Sequence, residues 1–180
     1  MRRSHLLFVS SLAILAACQD LGPQMANVTF RLHDAAASLQ SATVWVSKVQ
    51  IVGGDSGVFT VSTTPASYDL LSLQNGVTAL LGTATIPAGS YEQLRLIVDS
   101  ARVVLASGST FADGDSSASL HVPSGMETGI KVNFAGGVTL PPGQTTLSVD
   151  FDVSQSFVLN GPSSGPFGVT FKPVIHATVQ

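Results

Sequence analysis

The sequence predicts an all-β domain, an antiparallel sandwich of about eight strands, and three observations carry that expectation. From Ala26 onward apolar residues recur every second position, the period of half-buried strands. Clusters of Gly, Pro, Asn, Asp and Ser separate the alternating runs. Those clusters return at the short spacing typical of sandwiches, with a partly open barrel as the alternative closure.

The elements follow in chain order. Val28, Phe30 and Leu32 alternate with Asn27, Thr29, Arg31 and His33. The stretch 41–52 changes phase between Val44-Val46 and Val49-Ile51, which places a bulge near Ser47. Gly53-Gly54-Asp55-Ser56-Gly57 reads as a hairpin. The segment 69–76 is the one helical hint: an Asp cap, three leucines and a terminating Gly. Leu94, Leu96 and Val98 form the next apolar face, and Ala112-Asp113-Gly114-Asp115 the next hairpin. Ile130, Val132 and Phe134 are interleaved with Lys131 and Asn133, and Pro141-Pro142-Gly143 reads as a further hairpin. The clearest strand sets Thr145, Leu147, Val149, Phe151 and Val153 against Thr146, Ser148, Asp150, Asp152 and Ser154. After a loop over 160–166, Val169, Phe171, Ile175, Ala177 and Val179 share one face. Pro173 makes that last strand an edge strand or bulges it.

The N-terminus has a separate logic. Arg2 and Arg3 precede an apolar stretch from Leu6 to Ala17 that is broken by Ser10 and Ser11, the layout of a secretory signal. The stretch is shorter than the roughly 20 residues a bilayer span needs. It ends in Leu15-Ala16-Ala17-Cys18, which resembles the bacterial lipobox and implies cleavage before Cys18 and acylation of its thiol. The expected organisation is a lipoprotein signal peptide over 1–17, an acylated Cys and short tether over 18–25, and one domain over 26–180. The membrane is then a partner through N-terminal acyl chains, several of which anchor where one binds marginally. Gln19, where inner-membrane retention would want Asp, points to the outer membrane or cell surface.

Composition narrows the partners. Of eight basic residues, Arg2 and Arg3 leave with the signal; six then face eleven acidic ones, a formal charge of −5. Without a basic cluster, nucleic acid is not an expected partner. Charged residues are 11% of the chain against about 25% in ordinary soluble domains, and Ser, Thr, Asn and Gln supply the polarity instead. Cys18 is the only cysteine, so disulfides and thiolate metal sites are excluded from the domain.

Motifs with chemistry in them are weak. Gly54-Asp55-Ser56-Gly57 spells the nucleophile motif of chymotrypsin-like proteases, but lies early in a chain too short for a double barrel and without evident His and Asp partners. Asp113-Gly114-Asp115 is similar to a calcium loop, yet Ser124 stands where an EF-hand wants glutamate. His33, His121 and His176 fall on polar strand faces and are too scattered for a local zinc site. Trp45, Tyr68 and Tyr91 are candidates for a sugar-stacking platform, against the core or interface role that strand aromatics more often take. No cofactor is expected.

The co-linear set Phe30-Arg31-Leu32-His33-Asp34-Ala35, Tyr68-Asp69-Leu70-Leu71-Ser72-Leu73-Gln74-Asn75-Gly76, Ile86-Pro87-Ala88-Gly89-Ser90-Tyr91, Val122-Pro123-Ser124-Gly125, Thr128-Gly129-Ile130-Lys131, Val149-Asp150-Phe151-Asp152 with Ser156, and Phe171-Lys172-Pro173-Val174-Ile175 resembles the domain of unknown function 4382 family. Ala36 departs from it where a proline is usual. The resemblance implies an exported domain, often a lipoprotein, with a prealbumin-like or immunoglobulin-like sandwich. It implies no activity.

The expected function is therefore a lipid-anchored cell-envelope module, not an enzyme, that binds or scaffolds a protein or glycan. The alternative is an envelope hydrolase of glycans or esters using carboxylates such as Asp150, Asp152 or Glu127. Asp150 and Asp152, expected about 6.5 to 7 Å apart on one strand face, permit glycosidase spacing. They are equally candidates for a bridging cation such as Ca²⁺, with Lys172, His176 and Lys131 as the competing counter-charges.

Overall fold

The computed structural model describes residues 22–34, 39–53, 57–111, 114–122, 128–159 and 169–180. The signal segment, Cys18, the Gly54-Asp55-Ser56 turn, Ala112-Asp113, Glu127 and the 160–166 loop lie outside these residues.

Two sheets face each other. The four-stranded sheet has the order β12 (Ile175–Val179), β9 (Gly143–Phe151), β1 (Met25–Asp34) and β5 (Ala79–Pro87). The other is built on the long antiparallel pair β2 (Leu39–Gly53) and β6 (Gly89–Leu105). β3 (Gly57–Ser62) and β4 (Ala66–Asp69) flank β2, and β7 (Ser117–His121) and β8 (Ile130–Leu140) flank β6. A short pair, β10 (Phe157–Leu159) with β11 (Val169–Phe171), follows the single helical turn α1 (Val153–Ser156). The open sheet edges come together at β3 beside β5 and at β8 beside β12. At the first of these, a Cβ on Gly82 would lie 3.0 Å from Val61 Cγ1 and 3.1 Å from Val61 O, so only glycine lets the strands approach.

The alternation seen in the sequence is what fills the core. Val28, Phe30 and Leu32 on β1 and Leu147, Val149 and Phe151 on β9 meet Val44, Ile51, Leu94, Leu96 and Val98 from the other sheet in one apolar cluster. Phe151 stacks on Phe171 at a centroid distance of 6.1 Å, and Phe171 meets Phe157 at 4.8 Å. The expected helical hint is a 3₁₀ turn, Leu70–Leu73, closed by Asn75 and Gly76 at positive φ; Asp69 precedes it but makes no side-chain cap.

Three expectations change in detail. Twelve strand segments are described where about eight were expected, because short β4, β7 and β10 escape the alternation signal and Pro173 divides the last strand into β11 and β12. Eight of the nine strand pairings are antiparallel, but β1 and β9 pair in parallel. Pro141-Pro142-Gly143 is not a hairpin. β8 lies against β6 while β9 lies against β1 and β12, so the prolines carry the chain from one sheet to the other. That crossing delivers Gly143 beside Ala26, and both strands then run the same way from one end.

The second crossing is next to the first. β5 ends at Pro87 in one sheet, β6 starts at Gly89 in the other, and Gly89 pairs with Leu140. The Ala88 N–H donates to Gln24 O at 2.7 Å, tying the corner to the start of the described chain. Tyr91, fully buried, donates its hydroxyl to Pro87 O at 2.7 Å across the corner and meets Phe59 edge-on at 6.0 Å. Burial raises its phenol above the ordinary pKa, so the proton needed for that bond is held.

Candidate functional site on the outer face of the four-stranded sheet

Because β1 and β9 alternate in register, the residues opposite the core form a second, ordered surface. Asn27 faces Gln144, Thr29 faces Thr146, Arg31 faces Ser148 and His33 faces Asp150. Across β1, Asn27 and Thr29 face Thr85 and Thr83 of β5. Across β9, Asp150 faces His176 of β12.

The end nearest the chain crossings is an open groove of about 500 Å³ lined by Asn27, Thr29, Thr83, Thr85, Gln144 and Thr146. These six side chains are hydroxyls and amides that both donate and accept, and none of the six carries charge. The Thr85 hydroxyl donates to Asn27 Oδ1 at 2.7 Å, which fixes the orientation of the amide. Gln180 closes one side by exchanging backbone hydrogen bonds with Thr146. This surface suits recognition of a neutral polar ligand by hydrogen bonding. Sequence reasoning placed Asn27, Thr29 and Thr146 on outward strand faces but not Thr83, Thr85 or Gln144, and not the groove, since the β1–β9 and β1–β5 registers bring these residues together.

The other end holds the charges. His33 Nδ1 lies 3.3 Å from Asp150 Oδ1, with both side chains about one-third exposed. That oxygen is buried and has no geometrically sound hydrogen bond among the described residues, so the contact acts as an ion pair only when the imidazole is protonated.

Asp152 does not share the face with Asp150. It lies past the end of β9 and caps α1, its carboxylate accepting from Ser154 Oγ at 2.6 Å, Gln155 N at 3.0 Å and Gln155 Nε2 at 2.5 Å. The Ser154 hydroxyl first, and then the Gln155 donors, hold its pKa below the usual value. Its backbone N–H donates to Val174 O, and Ser156, fully buried, accepts from the Val174 N–H at 2.8 Å. The Asp-Phe-Asp motif with Ser156 thus anchors the segment around Pro173. Among the expected counter-charges, His176 faces Asp150, Lys131 faces Arg95 in the other sheet, and Lys172 leads out of β11. Among the described residues, no three His, Cys, Asp or Glu side chains are grouped to hold a metal ion.

The aromatic candidates are dispersed as well. Tyr91 is core, Tyr68 is half-buried with its hydroxyl on Leu80 O at 3.1 Å, and Trp45 stands 38% exposed on the outer face of the other sheet. No described helix is long and apolar enough to cross a membrane.

Fold and surface together define a β-sandwich domain with a polar, hydrogen-bonding sheet face. The family model described as Domain of unknown function (DUF4382) matches residues 25–173, and the chain belongs to that family. No curated protein and no solved structure matches it.

Proposed function

We propose that the mature chain is a lipid-anchored module of the bacterial cell envelope that binds a neutral polar ligand, protein or glycan, without catalysis. The groove carries this reading, because its lining offers paired donors and acceptors in fixed register and no titratable side chain. The Leu15-Ala16-Ala17-Cys18 run supports the anchor. β1 begins seven residues after Cys18, and the groove lies at the end of the sandwich where β1 begins, so the tether would hold this surface close to the membrane.

The test is in-cell photocrosslinking. A photoreactive phenylalanine analogue at position 146, in the groove, should give a defined adduct, whereas the same residue at exposed position 106 should not. Equal labelling at both positions, or none at 146, would reject the groove as the binding surface.

A further inference from the structure

Trp45 is the one exposed aromatic side chain among the described residues, and the local structure is built around it. Its two lateral neighbours across the sheet are Ser67 on β4 and Ser100 on β6, both too short to cover an indole. The next row toward the end of β6 places Thr43 between Asp69 and Arg102. On the other side the register breaks twice. Trp45 pairs with Ser100, Val46 with Val98 and Lys48 with Ile97, which leaves Asp99 and Ser47 unpaired as adjacent bulges. The Ser47 hydroxyl donates to Asp99 Oδ1 at 2.8 Å and fixes both bulges. Bulges of this kind turn side chains out of the plain alternation of a sheet. The indole N–H has no hydrogen-bond partner among the described residues.

We infer that Trp45 is a stacking platform for a pyranose ring of a neutral glycan. A pyranose has an apolar C–H face and a rim of hydroxyls. The surface here has a complementary arrangement, with one aromatic side chain between the serines Ser67 and Ser100 and polar residues, Thr43 and Asp69, in the next row. A protein partner would call for a contiguous apolar patch, and Trp45 has polar residues in the rows on either side. The position fits as well. Ser100 is eleven residues along β6 from Gly89, about 35 Å of strand from the end where β1 begins, so an N-terminal anchor would leave the platform directed away from the membrane. This site is on the opposite sheet from the groove; its orientation to the membrane rests on the anchor proposed above, while the stacking argument does not.

The chain has a single tryptophan, so its emission reports this site alone. The full chain in a non-glycosidic detergent is titrated with neutral hexasaccharides of β-1,4-glucose, α-1,4-glucose, β-1,4-mannose and β-1,4-N-acetylglucosamine. At least one should give a saturable blue shift and protect the indole from acrylamide quenching. By calorimetry, Trp45→Ala should weaken that binding ten-fold or more at unchanged melting temperature, and Trp45→Phe should retain part of it. No response to any of the four sugars overturns the proposal. So does binding that survives Trp45→Ala, and so does an emission shift that follows protein concentration together with dimerisation, which would assign Trp45 to contact with a second copy.

Discussion

His33 and Asp150 are parallel neighbours on β1 and β9, 3.3 Å apart at Nδ1 and Oδ1, on strands more than a hundred residues apart in the chain. Their contact reports the parallel register of the two central strands. With both side chains about one-third exposed, its strength should be that of a surface pair. A double-mutant cycle with His33→Ala and Asp150→Ala should give a coupling of about 0.2–1 kcal/mol by urea denaturation. Zero coupling would show that the two side chains do not meet.

Tyr91 should behave as the lock of the chain crossing. Tyr91→Phe keeps the ring and leaves the Pro87 carbonyl without its donor, which should cost about 1–3 kcal/mol. Tyr68→Phe, whose hydroxyl bond to Leu80 O is exposed, should cost less in the same denaturation experiment. Equal losses would remove the special role of the corner.

Phe151 is 1% exposed and stacked on Phe171. Phe151→Ala should destabilise the domain by about 3–5 kcal/mol, a large part of a total of roughly 5–15. A loss under about 1 kcal/mol would mean that the inward face of β9 is assigned backwards.

Asp152 sets a pH dependence with a definite sign. Its carboxyl is held below the ordinary range of an aspartate, chiefly by the Ser154 hydroxyl, so the folded state favours the ionised form. The stability it contributes is complete above that range and is lost as pH falls through the lowered folded-state pKa. Asp152→Asn keeps a good helix cap and removes the titration. Melting temperatures of the two proteins should differ little in pH response above about pH 4, with the wild type falling more steeply below it. Parallel profiles down to pH 2 would contradict the capping role.

What the sequence made legible was the face of each strand, because inward and outward residues differ in chemistry at a period of two. Leu147, Val149 and Phe151 are buried as their spacing requires, and the bulge beside Ser47 follows from the phase change between Val46 and Val49. Strand direction leaves no such trace. An alternating strand reads identically whether its neighbour is parallel or antiparallel, so the β1–β9 pairing, and with it the His33–Asp150 contact and the groove, could not be read from spacing. The prolines at 141 and 142 marked a turn but not which sheet receives the chain next. Asp152 looked like a strand residue because the alternation runs on through Val153, which is buried from the first turn of α1. Trp45 was visible as an aromatic, but its exposure depends on the serines that β4 and β6 bring beside it.

The proposal of a lipid-anchored module rests most directly on Cys18, and the intact mass of the protein isolated from its own membranes tests it. The account predicts a chain that has lost residues 1–17, begins at Cys18 and carries the added mass of acyl groups on that residue. A mature chain that begins elsewhere, or an unmodified Cys18, would contradict it.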